Sequence, residues 1–78
     1  STIYPNPNNG DFTLSLKQNK NQNITITISD ITGKLISSLK ASAELGLIKI
    51  QETLLNGTYL LKVQFEDGTY DVHRLVVE

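Results

Sequence analysis

The segment Ile24-Thr25-Ile26-Thr27-Ile28-Ser29 decides the fold of this chain. Its isoleucines alternate with hydroxyl-bearing residues, so one face is apolar and the other polar, and every residue except the serine is β-branched. This two-residue period is typical of a strand that buries one side in an antiparallel sheet. Residues 30–33, Asp-Ile-Thr-Gly, supply turn chemistry and residues 34–40 run back, so residues 24–40 are predicted to form a β-hairpin.

The sequence on either side of this alternating segment is less regular. Leu35 and Leu39 do not share one alternation with Ile36, which predicts either a bulge in the returning strand or burial on both of its faces. The polar run over residues 18–23 is predicted to be a loop. Residues 41–46 are predicted to form a helical turn that is too short to stand alone as a helix.

The two-residue period recurs in other parts of the chain. Strands are therefore predicted over residues 11–17, 47–51, 58–66 and 69–78, with the turn signals Asn56-Gly57 and Asp67-Gly68 between them. A seventh strand would form if Thr2-Ile3-Tyr4 pairs. Six to seven short strands separated by turns favour an all-β fold, a small antiparallel β-sandwich.

The inward faces of the last two strands differ in how well the pattern defines them. The penultimate strand is expected to turn one apolar row inward, made of Tyr59, Leu61, Val63 and Phe65. The last strand leaves two core sets open, because both of its faces carry apolar side chains. One set is Tyr70, Val72 and Val76, and the other is His73, Leu75 and Val77.

Length and composition indicate one domain over residues 1–78. Residues 1–10 hold both prolines and three of the seven asparagines, which predicts a turn-rich leading segment, with the sandwich over residues 11–78. The chain starts at Ser1 and contains no methionine, so we expect it to be a piece of a longer protein.

Several functional classes are disfavoured by composition. The chain has no cysteine and one histidine, which argues against disulfide frameworks, thiolate metal sites and imidazole clusters, and no cofactor is expected. Its net charge is −1, so the chain lacks the positive potential that binding to nucleic acid requires. No apolar run is long enough to cross a bilayer, so membrane insertion is not expected either.

Two candidate sites need a chemical test. Asp71 could orient His73 on one strand face, but no serine lies in a nucleophile elbow, so His73 is interpreted as a surface residue of its strand. The oxygen-rich residues 6–11 suggest calcium, but they fail the EF-hand spacing, and Asx hydrogen bonds explain their asparagines better. Among the tyrosines, Tyr4 and Tyr70 remain open as a sugar-stacking pair.

Four segments taken together resemble a known family. They are Tyr4-Pro5-Asn6-Pro7, the hairpin segment Ile28-Ser29-Asp30-Ile31-Thr32-Gly33-Lys34-Leu35, residues 55–63 (Leu-Asn-Gly-Thr-Tyr-Leu-Leu-Lys-Val), and Arg74-Leu75-Val76-Val77. Their order and spacing over the whole chain resemble the type A C-terminal sorting domain of the type IX (Por) secretion system. That resemblance implies an immunoglobulin-like β-sandwich without catalytic activity.

The resemblance also implies a function. Such domains lie at the C-terminus of exported proteins of Gram-negative bacteria and direct an N-terminal cargo, already in the periplasm, to an outer-membrane translocon. In many members a surface sortase then removes the domain and anchors the cargo, so the implied location is the cell surface or the medium. The implied partners are the translocon, the sortase and the cargo domain of the same precursor.

Family motifs carry over onto individual residues. Asn6 and Pro7 match the leading motif, Gly33 and Lys34 the hairpin motif, and Gly57 and Tyr59 the strand motif, and these are expected to be structural. Arg74, Leu75, Val76 and Val77 match the terminal basic-apolar motif and are the candidates for recognition, by strand addition and a charge contact. The family often ends with a lysine, whereas this sequence ends at Glu78.

An alternative function stays open at this point. An immunoglobulin-like accessory or carbohydrate-binding module of a secreted enzyme would have the same fold. Such a module should expose an aromatic platform, whereas an enzyme would need a cleft that contains His73.

Overall fold

The structure is a computed structural model that describes residues 1–18 and 21–78. Within those ranges the chain forms seven β-strands and no helix. The strands are β1 (Thr2–Tyr4), β2 (Asp11–Ser15), β3 (Gln22–Asp30), β4 (Leu35–Ala43), β5 (Leu47–Gln51), β6 (Gly57–Phe65) and β7 (Tyr70–Val77). The alternating segment that opened the sequence analysis lies in β3.

The strands pair into two antiparallel sheets. One sheet has the order β1-β2-β5, and the other has the order β4-β3-β6-β7. A single hydrophobic core cluster is formed by inward residues of both sheets, including Leu14, Ile48, Ile26 and Leu61. The predicted all-β sandwich of six to seven strands is therefore confirmed with seven, and the arrangement is consistent with the immunoglobulin-like fold.

The period-2 pattern correctly predicted the inward face of the central strands. Ile24, Ile26 and Ile28 of β3 are buried, as the alternation requires. On β6 the residues Tyr59, Leu61 and Val63 are buried and Phe65 is half-buried against the core. Because β3 and β6 are neighbours in the middle of the larger sheet, these two rows form much of its inner face.

The returning strand β4 contains the predicted irregularity. Ile28 pairs with Ser37 whereas Ser29 pairs with Leu35, so Ile36 is an extra residue opposite this step. Leu35 and Ile36 are both exposed, so the bulge is confirmed, and burial on both faces is wrong.

The helical turn predicted over residues 41–46 is wrong. β4 continues to Ala43, and Glu44 and Leu47 exchange backbone hydrogen bonds of 3.2 and 3.0 Å around Leu45 and Gly46. Both central residues have positive φ, 53° and 80°, as in a two-residue type I′ hairpin. The pairing of Glu44 with Leu47 thus outweighed the helical propensity of the alanines, and it holds Leu45 at a φ that is uncommon for leucine.

Two loops also differ from their predicted lengths. β3 begins at Gln22, inside the run predicted as a loop over residues 18–23, of which residues 19–20 lie outside the described residues. At Asp67-Gly68 the loop has three residues instead of two. Phe65 N–H donates to Thr69 O at 2.8 Å, and Gly68, at φ 90°, donates back to Phe65 O at 3.1 Å. This is a type I turn followed by a glycine bulge.

The last strand turns its odd-numbered residues inward. Leu75 is fully buried and Val77 is 2% exposed, and His73 lies half-buried in the same row. The pairing of Tyr59 with Leu75 and of Gly57 with Val77 fixes this choice, because partners across a strand pair point to the same side. Of the two open core sets, His73, Leu75 and Val77 is the one that the structure adopts.

Candidate recognition site

β7 is an edge strand of the larger sheet, as recognition by strand addition would need. Phe65 N–H donates to Thr69 O where the β6–β7 hairpin begins, and hydrogen-bonded pairs recur at every second residue of an antiparallel pair. The odd-numbered residues of β7 therefore direct their backbone groups toward β6. The backbone groups of Val72, Arg74 and Val76 therefore point away from the sheet. This outward edge is the part of β7 that another segment can reach.

The C-terminal half of this edge is covered by residues 6–8 of the same chain, here called the clasp. The Asn6 side chain donates from Nδ2 to Arg74 O at 2.8 Å and accepts from Val76 N–H at its Oδ1 at 2.9 Å. The Asn8 backbone continues the pairing, because its N–H donates to Val76 O at 3.0 Å and its carbonyl accepts from Glu78 N–H at 2.8 Å. The leading and terminal motifs are thus in direct contact.

Asn8 holds the clasp in shape. It is the only buried polar residue among the described residues, at 8% exposure, and both polar atoms of its side chain are hydrogen-bonded. Its Nδ2 donates to Pro5 O at 2.9 Å, and its Oδ1 accepts from Gly10 N–H at 2.8 Å. Asn9 likewise accepts from Asp11 N–H at 3.2 Å, so the Asx hydrogen bonds predicted for this segment are present.

Gly10 is a structural residue that the sequence reasoning missed. Gly10 has φ 105°, and a Cβ on it would lie 2.1 Å from Glu52 O. Its own carbonyl accepts from Glu52 N–H at 2.9 Å, which ties the leading segment to the end of β5. A glycine after two asparagines was the available signal, since this conformation is rare for other residues.

The four candidate recognition residues divide by direction. Leu75 and Val77 point into the core, where they hold β7 on the sandwich. Arg74 is exposed on the opposite face, and Val76 is half-buried there with its backbone bonded to the clasp. Direct side-chain contact with a partner is therefore available to Arg74 and, in part, to Val76.

The hairpin motif builds a hydrogen-bonded turn between β3 and β4. The Asp30 carboxylate accepts from Thr32 Oγ1 at 2.6 Å, Thr32 N–H at 2.9 Å and Lys34 N–H at 3.0 Å. These bonds, the one from the Thr32 hydroxyl first, lower the pKa of Asp30 below its ordinary value. Gly33 supplies the positive φ of 92° that the turn needs, and the Lys34 side chain is exposed.

The strand motif anchors the start of β6. Gly57 opens the strand opposite Val77, and the buried ring of Tyr59 packs in the core. The Tyr59 hydroxyl donates to Leu55 O at 2.6 Å, which fastens the connection from β5. Gly57 and Tyr59 therefore both sit at the end of the sandwich where β7 finishes.

His73 and Asp71 meet Ser1 rather than an active-site serine in an elbow. Ser1 Oγ lies 2.6 Å from both Asp71 Oδ2 and His73 Nε2. Since the carboxylate takes the hydroxyl proton, Nε2 must donate to Oγ, and His73 in this state cannot act as the base for Ser1. The Ser1 hydroxyl bond lowers the pKa of Asp71, and burial lowers the pKa of His73.

The remaining candidate chemistry finds little support in the geometry. Tyr4 is on the outer side of β1 and Tyr70 on the outer side of β7, so the two exposed rings lie on different sheets and form no common platform. In residues 1–18 and 21–78, no group of three or more His, Asp or Glu side chains is placed to hold a metal ion. None of the described segments is a helix that could cross a membrane.

Comparison with known proteins bears directly on this site. A family model described as the secretion system C-terminal sorting domain matches residues 2–78. No curated protein matches the chain. The match spans both halves of the contact described above, the clasp and β7. The chain therefore belongs to the family of C-terminal sorting domains of the type IX secretion system.

Proposed function

We propose that residues 1–78 act as one sorting signal that directs a cargo domain on their N-terminal side from the periplasm through the type IX outer-membrane translocon. Membership of the family already makes the domain a sorting signal for export. The finer proposal is that the translocon binds β7 and that a surface sortase afterwards removes the domain and anchors the cargo.

One observation carries this proposal: β7 is an edge strand whose outward backbone groups are covered in one half and, among the described residues, unpaired in the other. The clasp occupies Arg74 O, Val76 and Glu78 N–H, so the free part of the edge centres on Val72. An extended segment could add there by backbone hydrogen bonds, with Arg74 beside it for a charge contact. Leu75 and Val77 support the strand from the core side.

Export of a folded reporter tests whether the domain is a sorting signal. A reporter with a periplasmic signal at its N-terminus and these 78 residues at its C-terminus is expressed in a host with type IX machinery and in the same host without it. We expect the reporter outside the cell only when both the domain and the machinery are present. Retention of the folded fusion in the host with the machinery would contradict the sorting function.

A proline substitution tests strand addition separately. Val72→Pro removes an N–H that points away from β6, so the sheet should tolerate it while the edge can no longer pair. Ser38→Pro is the matched control, because Ser38 lies on β4, the opposite edge of the same sheet, with its N–H also directed outward. We expect only the fusion with Val72→Pro to stay in the periplasm. Circular dichroism should show that both variants are folded. Equal export of the two would rule out pairing at Val72.

A further inference from the structure

The outer face of the larger sheet has a one-sided charge. The outward row of each strand follows from the register. This outer face consists of Asn23, Thr25, Thr27 and Ser29 on β3, Leu35, Ser38, Lys40 and Ser42 on β4, Thr58, Leu60, Lys62 and Gln64 on β6, and Tyr70, Val72, Arg74 and Val76 on β7. Within the strands it includes three cations and no carboxylate; the acid at its border is Glu66, just after β6, which accepts from Asn23 N–H at 3.0 Å.

The positive charge of this face is opposite in sign to the net charge of the chain, which is −1. The sequence has seven Lys and Arg residues and eight Asp and Glu residues. Because three of the cations lie on the outer face, the rest of the chain has four cations against eight carboxylates. On the smaller sheet, by contrast, the outward rows of β2 and β5 hold one cation, Lys49, and one acid, Asp11. Such segregation produces a local positive potential that steers acidic partners.

Exposed apolar side chains lie beside two of these cations, Lys62 and Arg74. Tyr70 is 58% exposed, Val72 54% and Leu60 40%. The register places Arg74 directly beside Leu60 and Lys62 directly beside Val72, so charge and apolar surface alternate across β6 and β7. Lys62 Nζ lies 4.5 Å from the centre of the Tyr70 ring, within the range of a cation–π contact.

We propose that this β6–β7 half of the outer face docks against an acidic protein surface of the translocon that also presents apolar side chains. The inference rests on the proposed sorting function and deepens it, because it assigns recognition to side chains of two strands rather than to the last strand alone. The phosphates of a lipopolysaccharide would pair with the cations and would leave the aliphatic side chains of Leu60 and Val72 exposed. The apolar residues beside the cations favour a protein partner, whose interface core excludes water.

Charge reversal in the same reporter tests the docking face. The double variant Lys62→Glu with Arg74→Glu is compared with Lys17→Glu combined with Lys49→Glu, which makes the same change in net charge at exposed positions outside the outer face. We expect export to fall by about tenfold or more in the first and to stay at the wild-type level in the second, since a loss of about 1.4 kcal/mol in binding is tenfold in affinity. A separate variant, Lys62→Arg with Arg74→Lys, keeps both charges and should be exported at the wild-type level.

The apolar half is tested by Leu60→Thr with Val72→Thr, which keeps strand propensity and charge. Reduced export of this variant is expected for a protein partner, whereas wild-type export would indicate a polyanion and overturn the proposal. Thermal unfolding of each purified domain verifies that all variants are folded. Wild-type export of the Lys62→Glu, Arg74→Glu variant, or an equal loss in its matched control, would also overturn it. These outcomes differ from failure of the sorting function, in which the unmodified fusion itself stays inside.

Discussion

Asn6 shows how a single side chain can take the place of a strand. A carboxamide has both a donor and an acceptor, so it bonds to the carbonyl of Arg74 and the N–H of Val76 as a neighbouring backbone would. Neither aspartate nor alanine can do both. Asn6 is exposed, so its role comes from geometry and not from burial. The asparagine of the leading motif is therefore explained by the edge that it covers.

Removal of this side chain should loosen the end of β7. For Asn6→Ala we expect the free energy of unfolding to fall by about 1–2 kcal/mol, because two hydrogen bonds are lost, and the Val76 amide to exchange faster with solvent. Asn6→Asp should have a similar effect, since its carboxylate cannot donate to Arg74 O. Asn9→Ala is the control, because Asn9 bonds only to the nearby Asp11 N–H in this segment. Denaturant unfolding and hydrogen exchange measure both effects, and equal results for Asn6→Ala and Asn9→Ala would contradict the clasp.

The β3–β4 hairpin is an element whose turn is held by one carboxylate. Asp30 accepts three hydrogen bonds within the turn, and its backbone N–H donates to Lys34 O at 3.0 Å. Gly33 N–H completes the turn by donating to Asp30 O at 3.0 Å. The hairpin motif of the family is thus a self-contained turn that joins a central strand to an edge strand.

The lowered pKa of Asp30 predicts how this element responds to acid. The folded state favours the carboxylate, so the contribution of the turn is complete above the ordinary carboxyl pKa of about 4 and is lost as pH falls through the lower folded pKa. Thr32→Val removes the Oγ1 hydrogen bond, the largest cause of the shift, and should raise the pKa of Asp30. Titration of the carboxyl carbon by NMR tests this, with Thr69→Val, at the Asp67 turn, as a control that should leave Asp30 unchanged. An unchanged Asp30 in Thr32→Val would contradict this account.

In the molecule as a whole, both ends of the sequence meet along one edge of the sandwich. The clasp lies on β7, Asn8 forms a parallel bridge with Val77, and Ser1 contacts Asp71. The cargo side of the domain is therefore adjacent to the strand proposed for recognition. The same strand completes the core, because Leu75 and Val77 are inward. Deletion of this strand would therefore disrupt the core as well as the proposed recognition site.

Truncation after His73 should consequently unfold the domain. It removes two buried side chains, each of which contributes about 1.5–3 kcal/mol, together with the pairing of the clasp. Small domains have a total stability of only about 5–15 kcal/mol, so we expect loss of the cooperative thermal transition and of dispersed NMR signals. Arg74→Ala in the full chain is the control and should stay folded, since Arg74 is exposed. A truncated domain that unfolds cooperatively at the wild-type temperature would contradict this assignment.

The sequence by itself determined the strands with a clear two-residue period, because alternation of polarity is a local property of each strand. β3 and β6 show this, since their buried rows coincide with their apolar rows. Family membership was also predictable, from four motifs in a fixed order. The turn at Leu45-Gly46 was predicted wrongly because a type I′ conformation depends on the pairing of Glu44 with Leu47 around it.

The tertiary structure decided what local patterns leave open. The inward face of β7 follows from its register with β6, because apolar residues occur on both faces of the strand and cannot choose between them. The clasp joins Asn6 to Arg74 and Val76, which lie 68 and 70 positions later in the sequence, and no local period encodes such a contact. The one-sided charge of the outer face likewise arises only when Lys40, Lys62 and Arg74, from three separate strands, are brought to one side by the order of the sheet.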